Sequence, residues 1–174
     1  MNVLSLKNEL EKMSREEMIK YIDELHKFFW NIQGNWMQFV SEKYGTEAAR
    51  EGDTRVFGRN GEVQGWLLKK LFGLGESMED LGKALVFSTM LSNVEYEISE
   101  VSDRHIRARV TKCHMQLGRR KSGLPELPCK EAGLAALGRF GRAVNPDLEI
   151  ECIVCPPDEH PEDLWCEWEW RIKE

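Results

Sequence analysis

Val94-Glu95-Tyr96-Glu97-Ile98-Ser99, a turn at Asp103-Arg104, then Ile106-Arg107-Ala108-Arg109-Val110-Thr111 is the stretch whose reading decides the fold. In both halves the apolar residues take every second position, which is the period of a half-buried strand. The two halves therefore predict an antiparallel hairpin. Beyond Thr111 the apolar parity shifts to Cys113, Met115 and Leu117, so a bulge is expected near Thr111-Lys112, with the strand running on and a loop over residues 119–128.

A second alternating pair closes the chain. Leu148, Ile150, Cys152 and Val154 share one face of residues 148–154. Cys166, Trp168, Trp170 and Ile172 share one face of residues 165–172, opposite Glu167, Glu169 and Arg171. The Pro156-Pro157-Asp158-Glu159-His160-Pro161 connection reads as a stiff turn. Between the hairpins, Cys129 starts a helix with inner residues Leu134, Leu137, Phe140 and Val144, ended by Asn145-Pro146.

Upstream the period is helical. Ser14 and Glu17 form a capping box, and Met18, Ile22, Leu25, Phe29, Ile32, Trp36 and Phe39 then recur at three and four to Tyr44. Residues 46–57 and 62–72 predict two helices separated by Gly58-Arg59-Asn60-Gly61, and Ser77 with Asp80 caps another that runs to Leu91. Helices, hairpin, helix, hairpin is an α+β order, with N-terminal helices packed on a four-stranded antiparallel sheet. A chain of 174 residues suits one domain, residues 1–92 forming its helical part and 93–174 the hairpin-helix-hairpin part.

The net charge of -6 argues against nucleic acid as a partner, and no run of eighteen apolar residues exists to span a membrane. Met1 to Glu17 is too charged for a signal peptide, which makes the cytoplasm the expected compartment. Residues 101–145 carry ten Lys/Arg against three Asp/Glu, and residues 146–174 carry two against ten. Either the basic block forms an anion site, or the two blocks pair across neighbouring strands, which strand neighbours of opposite charge favour.

All five cysteines, Cys113, Cys129, Cys152, Cys155 and Cys166, lie in the C-terminal third. An odd count in a reducing compartment fits a disulfide framework poorly. Four thiolates from Cys129, Cys152, Cys155 and Cys166, with Cys113, His114 or His160 as substitutes, would make a closed zinc site. Two other readings stand beside it. The cysteines are small buried hydrophobes, or Cys129, at a helix start where the dipole favours the thiolate, is a nucleophile with His114 as its base. Trp30, Trp36 and Trp66 read chiefly as packing residues and, with Gln116, as candidate walls of a pocket for a flat apolar ligand.

The string Cys113-His114-Met115-Gln116, Pro128-Cys129-Lys130, Asn145-Pro146, Cys152-x-x-Cys155-Pro156-Pro157-Asp158, His160-Pro161 and Trp165-Cys166-x-Trp168, with Trp30 to Trp36 upstream, resembles an uncharacterised family of small bacterial and archaeal cytosolic proteins. That family is related to the L-2-amino-thiazoline-4-carboxylate hydrolase-like group. More distantly, Glu151-x-x-x-Cys155 followed by Cys166-x-Trp168 is similar to the ending of 4-vinyl reductase domains, which share an α+β ligand-binding fold with haem-nitric-oxide sensors. The resemblance implies a small-molecule-binding scaffold that forms a homodimer and whose cysteines hold a metal. The expected function is a cytosolic small-molecule-binding domain with a cysteine-rich, zinc-binding site. The alternatives are a hydrolase of a cyclic C–N bond, using Cys129 or metal-bound water, and a non-catalytic assembly subunit.

Overall fold

A computed structural model describes residues 5–173, so the first four residues of the Met1 to Glu17 stretch and Glu174 lie outside it. Helix α1 (Leu6–Leu10) leads into α2 (Arg15–Tyr44), which opens on the expected capping box: the Glu17 N–H donates to the Ser14 hydroxyl, and the Ser14 N–H donates to the Glu17 carboxylate at 2.8 Å. Helices α3 (Thr46–Phe72) and α4 (Met78–Val86) follow, then a 3₁₀ turn over Thr89–Leu91. The sheet is β1 (Val94–Val101), β2 (His105–Cys113), β3 (Leu148–Val154) and β4 (Cys166–Ile172), antiparallel throughout in the order β1-β2-β4-β3. Helices α5 (His114–Lys121) and α6 (Lys130–Val144) lie between the hairpins. The α+β architecture is the one the alternation predicts. No helix among the described residues is long and apolar enough to cross a membrane.

The core lies between α6, α4 and one face of the sheet. Phe140, Leu137 and Val144 of α6 meet Trp168 and Trp170 of β4, Ile106 and Ala108 of β2, and Leu81 and Leu85 of α4. Each such side chain, once buried, contributes about 1.5–3 kcal/mol. The opposite face of the sheet carries the paired charge blocks. Arg107 Nε donates to Glu169 at 2.6 Å, Arg109 Nε to Glu167 at 3.1 Å, and Arg171 and His105 also reach Glu169. Arg107 and Arg109 of the basic block are thus engaged in cross-strand pairing with the acidic strand. Register shifts between Glu95/Tyr96 on β1 leave Thr111 as the extra residue, where the parity change placed the bulge.

Two local expectations are corrected. The strand does not continue through Met115 and Leu117, because the chain turns into α5 at His114. Arg119, Arg120 and Lys121 in the last turn suit the negative end of that helix, and Gln116 is buried by folding it inward. The break at Gly58–Gly61 is absent, and α3 runs unbroken through it. A Cβ on Gly61 would stand 2.2 Å from the Ala136 carbonyl oxygen, and one on Gly65 2.8 Å from the Phe140 carbonyl oxygen. These glycines let the α3 and α6 backbones touch. A helix packed that closely keeps its course despite the poor intrinsic propensity of glycine.

Helix α2 is peripheral. Met37 is its one buried residue, while Ile22, Leu25, Phe28, Ile32 and Phe39 remain exposed. The stripe is thus divided: Phe29 and Trp30 pack on Phe57 of α3 and Met37 on Ala49 and Leu127, while much of the rest stays outside the core, contrary to the packing expected of it.

Candidate functional site

Four of the five sulfurs converge, and the fold assembles them from three places. Cys129 is the residue before α6, Cys152 and Cys155 lie in and just after β3, and Cys166 begins β4. The segment after β3 is tied to the start of α6: the Lys130 N–H donates to the Pro156 carbonyl at 3.1 Å, and the Lys130 ammonium pairs with Asp158 at 2.7 Å. Asp158 in turn accepts from the Cys155 N–H at 3.3 Å. These bonds set Cys129 Sγ 3.7 Å from Cys155 Sγ. Cys155, only 1% exposed, also lies within hydrogen-bonding reach of the Cys152 and Cys166 sulfurs.

The electrostatics follow from that hub. Cys155 shares its S–H with Cys129, Cys152 and Cys166, so its proton is held and its pKa rises. The Cys129 pKa falls through its contact with the Cys155 thiol, against burial, with further help from the Gln116 amide. The Cys152 pKa also falls, first through Cys155 and then, against burial, through the Lys130 ammonium. Cys113 behaves differently. Burial pushes it up to about 11, and it packs with Val110 and Trp165. Among the described residues, no three His, Cys, Asp or Glu side chains already stand in a coordination arrangement.

The remaining candidates are dispersed. His114 is exposed at the start of α5, and the hydrogen-bond partners of the Cys129 sulfur are Gln116 and Cys155, so the expected Cys129–His114 pair does not form. His160 bonds the Pro161 carbonyl at 2.9 Å and Glu126 at 3.2 Å, and its ring lies against Trp165. It is thereby spent outside the thiol group. Gln116 grips the backbone of Leu127 with both ends of its amide, at 2.8 and 2.9 Å, and holds the loop that delivers Cys129. Its role is to position that loop and not to wall a pocket.

Beside the sulfurs lies an apolar cavity of about 130 Å³, bounded by α2, α3, α6 and the sheet. Cys129, Cys155 and Cys166 form part of one wall, and Trp30, Phe57 and Trp168 form others. Trp30 is fixed by donating its indole N–H to Ser92 at 3.1 Å and by stacking on Phe57 with ring centroids 5.8 Å apart. Trp36 and Trp66 are outside this cavity. Trp36 is 40% exposed and covers Gly52, and Trp66 is 56% exposed in a shallow groove with Arg139 and Arg142. A wider furrow of about 670 Å³ between α2 and residues 124–128 is walled by Asn35, Gln38, Glu42 and Arg119 together with Met37, Leu124 and Pro128.

Three polar residues in the cavity wall went unnoticed in the sequence: Asp53 of α3, Gln33 of α2 and Asn93 just ahead of β1. Gln33 Nε2 donates to Asp53 Oδ1 at 2.9 Å. Burial raises the Asp53 pKa, and that amide only partly offsets it. A signal was available, since Asp53 falls midway between Ala49 and Phe57 at intervals of four, on the buried face of α3.

The match to a family model extends over residues 11–172, nearly the whole fold just described. The chain belongs to the family of unknown function DUF6125. No curated protein matches it. Among solved structures, the crystal structure of the phenol-responsive sensory domain of the transcription activator PoxR with phenol is similar to this DUF6125 member, with a TM-score of 0.55 at 17% identity. The similarity covers 80% of this chain and 72% of that one, and it shows a shared fold. Neither match is to an amino-thiazoline-carboxylate hydrolase or to a 4-vinyl reductase, so the membership that stands is the DUF6125 one.

Proposed function

We propose that this domain binds a small, largely apolar molecule in the cavity between α2, α3, α6 and the sheet. The observation that carries the reading is the cavity itself: about 130 Å³, apolar on most sides, with one buried polar pair. A dry apolar cavity of roughly 150 Å³ is known to accept benzene, so a single ring is the right scale. The PoxR sensory domain, which shares the fold, was solved with phenol. An anionic ligand is disfavoured by Asp53. Titration with phenol and toluene, followed by tryptophan fluorescence, is expected to show saturable quenching through Trp30. Ala132→Leu, which fills the cavity, should abolish it. Absence of binding by every single-ring probe would sink the reading.

The thiol group supports a second element of this function, a structural zinc ion held by Cys129, Cys152, Cys155 and Cys166. Sulfurs about 2.3 Å from a tetrahedral zinc stand about 3.8 Å apart, and the Cys129–Cys155 separation is 3.7 Å. Such an ion would supply cross-linking and not chemistry, because four protein ligands leave no position for water. The hydrolase alternative gains nothing from the geometry, since the Cys129 thiol has no histidine base. The assembly-subunit alternative leaves the cavity unexplained.

The exposed stripe on α2 favours a homodimer. Met18, Ile22, Leu25, Ile32, Trp36 and Phe39 stand at intervals of four, three, seven, four and three along the helix, all at least 38% exposed, which suits the seam of a helix pair. Light scattering after gel filtration should give twice the chain mass, and Ile32→Glu should halve it. A monomeric wild type at all concentrations would refute the dimer.

A further inference from the structure

Asp53 is 7% exposed, and among the described residues its carboxylate has one hydrogen-bond partner, the neutral Gln33 amide. The nearby cation on the same helix is committed elsewhere, since the Arg50 guanidinium pairs with Glu47 at 3.0 Å and Glu131 at 3.1 Å. A carboxylate buried against a single amide is costly, and replacing it with an apolar residue would relieve that cost unless its charge is used. The same wall of the cavity offers the stacked Trp30 and Phe57 rings, whose faces attract cations. Gln33 Nε2 donates one of its two N–H groups to Asp53, and its carbonyl oxygen remains an acceptor beside it. Among the described residues, Asp53 is the one acidic residue lining the cavity, and no Lys, Arg or His lines it to balance that charge. The cavity is short of positive charge.

We infer that the ligand carries a protonated amine on a small apolar body, with the ammonium received by Asp53 and Gln33 beside the Trp30–Phe57 pair. This inference rests on the cavity reading above and names the chemical class that the cavity selects. A hydroxyl would satisfy one hydrogen bond and leave the buried charge uncompensated. A carboxylate or phosphate would be repelled by Asp53. The apolar body occupies the space toward Leu137 and Trp168, where the wall offers no polar partner.

Three probes with one common aromatic body test this: benzylamine, benzyl alcohol and toluene, titrated calorimetrically at pH 7 into the full chain and into Asp53→Asn. Benzylamine is expected to bind the wild type about thirtyfold or more tightly than benzyl alcohol, the scale on which a buried charge pair discriminates. In Asp53→Asn that preference should vanish, while toluene affinity changes by less than about threefold, which also reports that the variant has kept its cavity. Equal affinity of the wild type for amine and alcohol overturns the inference and leaves the cavity reading intact, as does a preference that survives in Asp53→Asn. Binding of none of the three probes overturns both. The wild-type comparison alone decides the matter if the variant does not fold.

Discussion

Gly61→Ala is expected to destabilise the protein by about 3 kcal/mol, at the upper end of what overpacking a core costs. The added methyl would sit 2.2 Å from the Ala136 carbonyl oxygen and about 3 Å from that residue's backbone carbons, and no rotamer change can relieve a clash with backbone. Only separating α3 from α6 would, and that pulls Phe140 and Ala136 out of register with the sheet. The intrinsic helix preference for alanine over glycine, about 1 kcal/mol, opposes the effect without cancelling it. Gly34→Ala on α2 is the matched control. Nothing lies within 4 Å of its added methyl, so the same substitution should stabilise there by up to about 1 kcal/mol. Urea unfolding of the two variants measures the contrast, and equal stabilities would show that the α3–α6 contact is not tight.

Cys155→Ala tests the thiol group at its hub. If the four sulfurs hold zinc, protein purified without a tag should contain about one zinc per chain, and the variant should contain almost none. Loss of a structural ion should also lower the melting temperature by about 10 °C or more, since 1 kcal/mol corresponds to roughly 2–4 °C in a chain of this size. Cys113→Ala is the control, because Cys113, although it packs in one cluster with Cys166, is not among the sulfurs that hydrogen-bond Cys155, and its zinc content should match the wild type. A wild type free of metal, with Cys155→Ala nearly as stable, would return the cysteines to the status of core residues. One fast-reacting thiol that vanishes in Cys129→Ala would instead favour a nucleophile.

What was legible in the sequence was local or periodic. The Ser14–Glu17 box, the strand faces of Trp168 and Trp170, the bulge at Thr111 and the pairing of the basic and acidic blocks each depend on residues a few positions apart or on alternation. The placement of Cys129, Cys152, Cys155 and Cys166 on their elements was legible for the same reason. What failed depended on contacts across the chain. Glycines 58 and 61 look like breakers until α6 lies against them, and Met115 and Leu117 look like a strand until Gln116 bonds Leu127 eleven residues away. The composition of the cavity was hidden too. Trp30 lines it and Trp66 does not, although both are tryptophans on long helices, and the acidic residue that matters is one of thirty Asp and Glu in the chain.

The wall that Cys129, Cys155 and Cys166 share with the cavity has a thermodynamic consequence. If an ion and a guest both bind, one layer of side chains separates them, and any coupling between them is reciprocal. Whatever factor an ion at the sulfurs applies to the affinity of the cavity for its guest, the guest must apply to the affinity of the sulfurs for the ion. Because Cys129 also begins α6, a shift at either occupant moves the helix on which the α3 contact is built. Were both sites filled, α6 would be the rigid rod joining two inputs of a single balance.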